Sequence, residues 1–389
     1  MSDDRDRLLA LFRVALKSVR ADLLTETALA HENVCHVIAL GKAAEALAAG
    51  ALRANRDIVS GFVALPRGYA TGELPEQAQF VRYSGAHPVP DQSSLAAGAA
   101  LERYATGLPR GERVAVLVSG GASSCVECPA PGVDLALLRR ANTWLLASGL
   151  PITAINVVRA RLSRLKGGGL AHWLHGCKVS AWVLSDVLGD ADSRVGGGPL
   201  SAVPACLPTL PDWLRTPLES VALSPGDSIP LQRLVGNRDA VAAVCAEGAH
   251  YRGDLTGSLE TACADIISTI VEIEPGLFVW GGETTFELPA DPGRGGRCRH
   301  LALTVAHRLA GRPGWSLLAA GTDGWDGTEA VAGACVSGAT LEHGYRRGRD
   351  AERDLSRADS GSFFAGGGEE IITGPTGTNV NDLVIALKH

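Results

Sequence analysis

The sequence contains no apolar run that approaches the ~18–20 residues with which a helix crosses a bilayer. Its first 20 residues, MSDDRDRLLALFRVALKSVR, alternate charged and apolar residues. They lack the basic start, apolar core and small-residue cleavage site of a signal peptide. These absences predict a soluble, cytoplasmic protein without a membrane partner.

Excess positive charge is also missing. Of the 389 residues, 36 are Lys or Arg and 42 are Asp or Glu, which gives a formal net charge of −6. Nucleic-acid-binding proteins carry basic patches, so no nucleic acid partner is expected. Anionic small molecules would have to be bound by individual arginines and lysines.

The nine cysteines are scattered and odd in number, which argues against a disulfide framework in a chain without export signals. Cys125 and Cys128 form a C-x-x-C pair, a spacing compatible with redox chemistry or with half of a zinc site. No second pair stands at zinc spacing. Buried, reduced thiols are the simpler interpretation, and the role of the pair stays open.

Three common catalytic motifs are missing. The chain has no G-x-x-x-x-G-K-[ST] loop and no strand-linked G-x-G-x-x-G with an acidic partner downstream. A P-loop kinase and a standard dinucleotide dehydrogenase are therefore disfavoured. The glycine-rich stretch LVSGGASSC, residues 117–125, does not have the G-x-S-x-G spacing of a serine hydrolase.

What the chain does contain is a repeated alternation of short apolar runs, ending in glycines and polar residues, with segments of helical periodicity. This pattern predicts an α/β fold with parallel sheets covered on both faces, and a first helix over 5–30. Length and a Pro-, Gly- and Ser-rich stretch at 196–235 predict two domains, 1–230 and 231–389. Packing of the last strand on the first domain is an alternative.

Parallel sheets bind ligands beyond the carboxyl ends of their strands, so the polar residues at the strand ends are the candidate site. Gly41 and Lys42 follow the apolar run VCHVIAL and begin a helix. An anion would meet there both the helix dipole and the lysine ammonium. A surface lysine beside a tight turn is the alternative.

The 119–124 segment is a second candidate for anion binding. Gly120 and Gly121 can direct backbone N–H groups toward a phosphate or a carboxylate, and the Ser119 and Ser123 hydroxyls add donors. A turn whose glycines only supply positive φ angles fits the pattern equally well.

Charged residues on the next segments extend the site. Arg159 and Lys166 lie on one short amphipathic helix, where a solvated face is the alternative to ligand binding. Asp186 and Asp190 follow a strand and are spaced to reach a common Mg²⁺ or a substrate hydroxyl. Helix caps and turns use aspartates in the same way.

The C-terminal half adds Glu283, Asp323 and Asn379 at strand ends and turns, and Arg294 and Arg297 in the loop GRGGR. Two arginines separated by glycines can bind an oxyanion in bidentate fashion, as phosphoryl transfer requires. A solvated glycine-arginine loop is the alternative.

In chain order, the motifs GKAAEALA, HPVPDQSS, LVSGGASS, VLSDVLGD, GGETT, GRGGR, AAGTDGWDGTEAVAGA and TGPTGTNVNDL resemble the glycerate 2-kinase family. Its C-terminal domain is known as MOFRL, and its members are often named hydroxypyruvate reductases. The resemblance covers nearly the whole chain. It implies an N-terminal Rossmann-like parallel sheet with helices on both faces and a smaller C-terminal α/β domain. The implied reaction is Mg²⁺-dependent transfer of phosphate from ATP to the 2-hydroxyl of D-glycerate.

By this resemblance Lys42 corresponds to the lysine of the G-K-A-A motif, and Arg294 and Arg297 correspond to the glycine-arginine loop. All three are expected to neutralise the transferring phosphoryl group. Our hypothesis for the remaining groups makes Asp186 the proton acceptor and Asp190 the Mg²⁺ ligand, and the sequence leaves open the converse assignment of the two aspartates. Whether the chain forms a homodimer is left open by the sequence.

Three segments depart from the family pattern. Cys298, Arg299 and His300 stand where members commonly have N-Q-E, Gly169 replaces an arginine, and GGGPLSA at 196–202 replaces a segment with S-G-P-T. The polar groups that the family pattern has at these positions could contact the substrate or the nucleotide. A kinase of another small hydroxy or keto acid, a hydroxypyruvate reductase and a non-catalytic relative therefore remain alternatives.

Overall fold

The computed structural model describes residues 2–76, 78–150, 152–187, 192–203, 206–220 and 227–389. The chain divides into two compact units. Ala21–Val235 is termed the N-terminal unit, and Gly236–His389 together with Met1–Arg20 is termed the C-terminal unit.

The N-terminal unit is built on a six-stranded sheet. Its strands are β1 (His36–Leu40), β2 (Ser60–Pro66), β3 (Phe80–Gly85), β4 (Arg113–Val118), β5 (Lys178–Leu184) and β6 (Leu231–Val235). They lie in the order β3-β2-β1-β4-β5-β6, and every neighbouring pair is parallel. The parallel, Rossmann-like sheet predicted for this part of the chain is confirmed.

Helices cover this sheet on both faces. They are α2 (Ala21–Leu29), α3 (Ala44–Ala54), α4 (Gln92–Thr106), α5 (Ala122–Cys125), α6 (Leu135–Ala147), α7 (Ile152–Arg161), α8 (Gly169–Trp173) and α9 (Asp212–Ser220), with a 3₁₀ segment at Asp192–Gly197. All five residues of β1 are buried, and successive side chains point to opposite faces. Ile38 and Leu40 share a core with Leu101 of α4 and Leu170 of α8. A further layer forms where α6, α7 and α9 pack together.

The C-terminal unit contains a second six-stranded sheet. Its strands are β7 (His250–Leu255), β8 (Gly276–Gly282), β9 (Trp315–Gly321), β10 (Gly333–Ser337), β11 (Glu370–Ile371) and β12 (Asp382–Lys388), in the order β11-β10-β9-β12-β8-β7. Only the β7–β8 pair among them is parallel, so the expectation of a parallel sheet is wrong for this unit. Since β12 is antiparallel to both neighbours, β8 and β9 run in the same direction. Their carboxyl ends therefore meet the start of β12 at one edge.

The helices of the C-terminal unit are α1 (Ser2–Ser18), α10 (Asn237–Ala246), α11 (Leu259–Glu272), α12 (Arg297–Arg308), α13 (Thr340–Arg346), α14 (Ala351–Ser356) and α15 (Ser360–Phe364). The core includes Ile266 of α11, Leu303 of α12, Trp280 of β8 and Phe363 of α15. No helix in the described ranges is long and apolar enough to cross a membrane.

The first helix and the boundary between the units differ from the prediction. The predicted helix over 5–30 is two helices, and α1 packs against β9, β12 and α10 of the C-terminal unit, where Ser316 Oγ lies 3.1 Å from Asp4 Oδ2. The units separate after Val235 rather than after residue 230, because β6 pairs with β5. The last strand, β12, pairs with β8 and β9 and belongs to the C-terminal sheet.

Candidate functional site

The loops after β1 and β4 lie at the point where the strand order of the N-terminal sheet reverses. In doubly wound sheets this crevice is the usual place for ligands. Gly41 and Lys42 follow β1, and Ser119, Gly120 and Gly121 follow β4. The structure therefore brings these five candidate residues together.

Gly41 allows the two loops to touch. Its φ angle is +108°, and a Cβ atom at this position would lie 2.3 Å from the carbonyl oxygen of Ser119. The Lys42 N–H donates to the Gly120 carbonyl at 2.8 Å, and the Gly41 N–H donates to the Ala64 carbonyl at 2.9 Å. Any side chain at residue 41 would push the loops apart.

The Ser119 hydroxyl is committed to holding this turn. It is fully buried, accepts the N–H of Ala43 at 3.0 Å and donates to the Leu40 carbonyl at 3.2 Å. Because both of its hydrogen bonds are internal, Ser119 positions the backbone and is a poor candidate for direct ligand contact. Ser123, which is half-buried one turn later, is the better hydroxyl donor.

The side chain of Lys42 runs over Gly121. A Cβ atom at residue 121, whose φ angle is +83°, would lie 2.9 Å from Lys42 Cγ and 3.3 Å from Pro66 Cγ. The Lys42 ammonium nitrogen is 5.3 Å from the centroid of the Tyr69 ring, a cation–π distance. Gly121 thus makes room for the lysine stem, and Tyr69 helps to orient the charge.

Asp186 extends the same edge of the sheet. It is half-buried and follows β5, the neighbour of β4. The residue before it is fixed, because the Ser185 N–H donates to the Val235 carbonyl at 2.9 Å. Asp190, the predicted metal ligand, lies outside the described residues.

Lys166 is placed differently from the prediction. Its side chain and that of Glu127 are both only 2% exposed, and its ammonium group forms an ion pair with Glu127 Oε2. The other oxygen of Glu127 accepts the Ser163 hydroxyl at 2.5 Å and the Cys128 N–H at 2.9 Å. This buried carboxylate already neutralises the charge that was expected to bind an anion.

Arg159 links two helices of the layer beside the sheet. Its Nε donates to Asn142 Oδ1 at 3.1 Å, which joins α7 to α6. Burial lowers the pKa of the Arg159 guanidinium, and the charge of Glu127 opposes that shift. The structure thus gives Arg159 a packing role beside its predicted role in ligand binding.

The C-x-x-C pair does not form a shared thiol site. The Cys125 sulfur lies 3.9 Å from the Ala64 carbonyl, whereas the Cys128 sulfur contacts Glu102 at 3.4 Å and Arg164 at 3.0 Å. Burial raises the pKa of both thiols to about 12. Reactive cysteines have lowered pKa values, so this environment favours inert thiols.

Two of the departures from the family pattern fall in this unit. A Cβ atom on Gly169 would lie 1.9 Å from the Arg164 carbonyl oxygen, so this backbone has no space for an arginine there. Gly196, Gly197 and Gly198 all have positive φ angles, between 65° and 82°. They form a tight turn that packs against α5.

In the C-terminal unit, the site is centred on a residue outside the predicted set. Asp382 begins β12 and pairs in register with Gly282 at the end of β8 and with Gly321 at the end of β9. The Nε of Arg297 donates to Asp382 Oδ2 at 3.2 Å, and an Arg297 terminal nitrogen lies 2.5 Å from Glu283 Oε1. The charge of Asp382, aided by that of Glu283, raises the pKa of Arg297.

Asp323 brings a second carboxylate to this edge. A Cβ atom on Gly321 would lie 3.2 Å from Asp323 Oδ1 and 3.4 Å from Asp382 Oδ1, so both oxygens face the same point. The Trp325 N–H donates to Asp323 Oδ1 at 3.0 Å and fixes the carboxylate. The structure therefore groups Glu283, Arg297 and Asp323, all of them predicted, with Asp382.

The chemistry of this donor set fits Mg²⁺. The ion prefers oxygen ligands and is usually held by one or two carboxylates together with waters and substrate phosphates. Asp323 and Asp382 would supply these carboxylates. Over the described residues there is no group of three or more His, Cys, Asp or Glu side chains that could bind a metal without such help.

Arg294 is separated from Arg297 by its partners. Its Nε and a terminal nitrogen both donate to Glu329 Oε1, at 2.8 and 2.5 Å, and its backbone N–H donates to Asp359 at 2.8 Å. The Arg294 side chain is 64% exposed. Its contacts fasten the loop before α12, so the two arginines do not form the predicted joint clamp on one oxyanion.

The segment after Arg297 faces the interior. Arg299 is fully buried and forms ion pairs with Asp326 at 3.0 Å, Glu329 at 2.7 Å and Glu370 at 3.3 Å. Asp326 also accepts the N–H groups of residues 298 and 299, and thereby caps α12. His300 stacks on Phe286 with 4.5 Å between ring centroids. Arg299 and His300, which stand where the family pattern has other polar groups, are thus engaged in contacts within this unit.

Asn379 lies in a turn that is tied to the loop after β9. The side chain of Asn379 is buried, and the hydroxyl of Thr322 accepts the Val380 N–H at 2.9 Å and donates to the Asn381 carbonyl at 2.7 Å. Asn381 has a φ angle of +64°. The turn delivers Asp382 to the sheet edge, and the buried Asn379 lies three residues before it.

Comparisons with known proteins identify the family of the chain. The family model described as "Domain of unknown function (DUF4147)" matches residues 7–210, and the MOFRL family model matches residues 276–382. D-glycerate 2-kinase of Thermotoga maritima is 33% identical over 97% of this chain and 96% of its own. Glycerate 2-kinase of Pyrococcus horikoshii is 30% identical over 90% and 87%. A crystal structure of glycerate kinase from Thermotoga maritima matches with a TM-score of 0.82 and 28% identity over 100% of both chains.

Proposed function

Because the chain belongs to the glycerate 2-kinase family, we propose that it transfers the terminal phosphoryl group of ATP to the 2-hydroxyl of D-glycerate. The product would be 2-phosphoglycerate. The observation that carries the proposal is the pairing of Gly41–Lys42 with the 119–121 loop at the strand-order reversal. Phosphoryl transfer asks chiefly for positioning and charge neutralisation, which such a turn and a lysine supply.

In the N-terminal unit, we assign Lys42 to the charge that develops on the transferring phosphoryl group. The 120–121 backbone and the Ser123 hydroxyl bind phosphate oxygens, and Gly41 and Ser119 hold the turn in shape. Asp186 accepts the proton of the substrate hydroxyl. Its position at the end of β5, on the same edge as Lys42, supports this role.

In the C-terminal unit, Arg297 is the cation assigned to phosphate oxygens. Asp382 and Glu283 hold its guanidinium in place from two sides. When bound, Mg²⁺ would neutralise the phosphate oxygens of ATP, and Asp323 and Asp382 are the residues that would hold it. Arg294 positions the loop through Glu329, and Asn379 supports the turn before Asp382.

A screen for ADP release tests the proposal. The purified protein is incubated with ATP, Mg²⁺ and one of D-glycerate, L-glycerate, tartronate or hydroxypyruvate. We expect the highest kcat/KM with D-glycerate. Preference for another acid would reassign the substrate, and release with none would contradict the kinase function. Oxidation of NADH by hydroxypyruvate would support the reductase alternative.

Lys42→Ala tests the central residue. Removing one group that stabilises transition-state charge typically costs a factor of about 10²–10³ in kcat. The matched control is Lys178→Ala, because Lys178 is an exposed lysine at the start of β5 in the same unit. We expect full activity in the control. Unchanged turnover in Lys42→Ala would contradict the assignment of Lys42 to the transferring phosphoryl group.

A further inference from the structure

A cavity of about 360 Å³ opens in the N-terminal unit between α7 and the 193–203 segment. Gly197 forms part of its wall. A Cβ atom on Gly197 would lie 3.0 Å from Lys166 Cδ and 3.1 Å from Ser123 Oγ. Since Ser123 belongs to α5, which directly follows the loop after β4, the cavity adjoins the edge of the sheet where the phosphates are placed.

The size of this cavity exceeds the needs of a three-carbon acid. Pockets for organic ligands larger than a few atoms occupy roughly 300–1,000 Å³, and this cavity is within that range. D-glycerate would fill only a small part of it. A nucleoside, with a planar base and a ribose, is the component of the reaction that matches the volume.

The lining of the cavity also suits a planar aromatic ring. Ala154 and Val157 of α7 contribute one apolar wall, and Ala202 and Val203 contribute another. Pockets for small molecules are mostly apolar, with a few polar groups that fix the orientation of the ligand. The amide of Asn156, which lines the cavity at 7% exposure, is such a group.

An asparagine amide combines a donor and an acceptor on one short side chain. This pair matches adenine, which presents its amino group beside a ring nitrogen, and asparagine recognises adenine in this way in DNA. Guanine presents two acceptors at the corresponding edge, N7 and O6. The chemistry at Asn156 therefore favours an adenine base over guanine.

We propose that the cavity formed by α7 and the 193–203 segment holds the adenine nucleoside of the nucleotide, with Asn156 selecting the base. The inference rests on the proposed kinase function and adds to it the place where the adenine of ATP binds and the residue that recognises it. It also gives a role to the turn at Gly196–Gly198, whose sequence departs from the family pattern. That turn shapes the wall of the nucleoside pocket.

Calorimetric titration of the full chain with ADP tests the proposal without requiring turnover. Ala202→Trp fills the cavity from an exposed position, so the fold should tolerate it. Val59→Trp, at a residue 55% exposed in the same unit, is the matched control. We expect at least a tenfold increase in the Kd for ADP in Ala202→Trp, and no change in the control or in the Kd for D-glycerate.

Asn156→Leu provides a second readout. Replacing the amide by an apolar group of similar size removes both the donor and the acceptor, so the ratio of kcat/KM for ATP over that for GTP should fall at least tenfold. Wild-type affinity for ADP in Ala202→Trp, or an unchanged ATP to GTP ratio in Asn156→Leu, would overturn the proposal. A wild-type protein that binds ADP but phosphorylates no acid would instead refute the kinase function and leave the nucleoside pocket standing.

Discussion

Arg297 Nε and Asp382 Oδ2 lie 3.2 Å apart, joining the first residue of α12 to the first residue of β12. A cation at a helix N-terminus is repelled by the helix dipole. Asp382 offsets this repulsion, and Glu283 adds a second negative charge. Arg297 is therefore held in position before any phosphate arrives.

Asp382→Asn should weaken the response to Mg²⁺. The variant keeps the shape of the side chain but removes one of the two carboxylates assigned to the ion. We expect the Mg²⁺ concentration for half-maximal activity to rise about 10- to 100-fold, as for other losses around a metal site. Activity is measured against Mg²⁺ concentration at saturating ATP. Asp291→Asn, on an exposed loop of the same unit, is the control. A lower kcat with an unchanged Mg²⁺ requirement would contradict the role of Asp382 as a Mg²⁺ ligand. Its role would then be to orient Arg297.

Gly121→Ala should remove activity at a modest cost in stability. Gly121 and Gly132 have φ angles of +83° and +81°, so alanine at either position carries similar backbone strain of about 1–2 kcal/mol. A Cβ atom at residue 132 meets nothing within 4 Å, whereas at residue 121 it meets the Lys42 stem. Denaturant unfolding should show similar losses, and only Gly121→Ala should lose kcat. Equal activity in both variants would contradict the proposal that the Lys42 side chain must lie over Gly121 for activity.

Glu127→Gln should destabilise the N-terminal unit. Breaking a buried ion pair leaves an uncompensated charge and costs roughly 3–5 kcal/mol. Here the stranded charge would be that of Lys166, whose side chain is 2% exposed. Glu219→Gln removes the exposed partner of Arg215 and should leave the free energy of unfolding nearly unchanged. The free energy of unfolding is compared for both variants. If Glu127→Gln is as stable as the wild type but has a raised KM for ATP, the result would support the original prediction that Lys166 binds the nucleotide.

His300 should make stability depend on pH. Burial lowers its pKa from 6.5 to about 4, so between these values the unfolded chain binds a proton that the folded chain does not. Stability is complete above pH 6.5 and falls by up to about 3 kcal/mol as the pH drops toward 4. His300→Phe keeps the stack on Phe286 and should flatten the pH dependence of Tm over this window. His250→Phe, at an exposed histidine of the same unit, should not. An unaltered slope in His300→Phe would contradict this account.

The first part of the site could be predicted because its signals are local. Gly41 and Lys42 directly follow an apolar segment of the chain. The same pattern, an apolar segment that ends in glycines, recurs at Gly120 and Gly121. In a parallel sheet such ends converge on one edge, whatever the length of the intervening segments. The order of the strands then places β1 beside β4.

The remaining assignments depended on contacts between distant parts of the chain. Asp382 was missed because its place beside Gly282 and Gly321 follows from an antiparallel register that the pattern of one strand cannot reveal. An aspartate at the first position of the last apolar run was the available signal. Lys166 was assigned to ligand binding because its buried partner, Glu127, lies 39 residues away in the sequence.

The position of the transferred phosphate tests the central claim most directly. Phosphorus NMR of a reaction with ATP, Mg²⁺ and D-glycerate distinguishes 2-phosphoglycerate from 3-phosphoglycerate. The account predicts 2-phosphoglycerate as the product, with its formation reduced at least a hundredfold in Lys42→Ala. Formation of 3-phosphoglycerate, or hydrolysis of ATP without a phosphorylated acid, would contradict it.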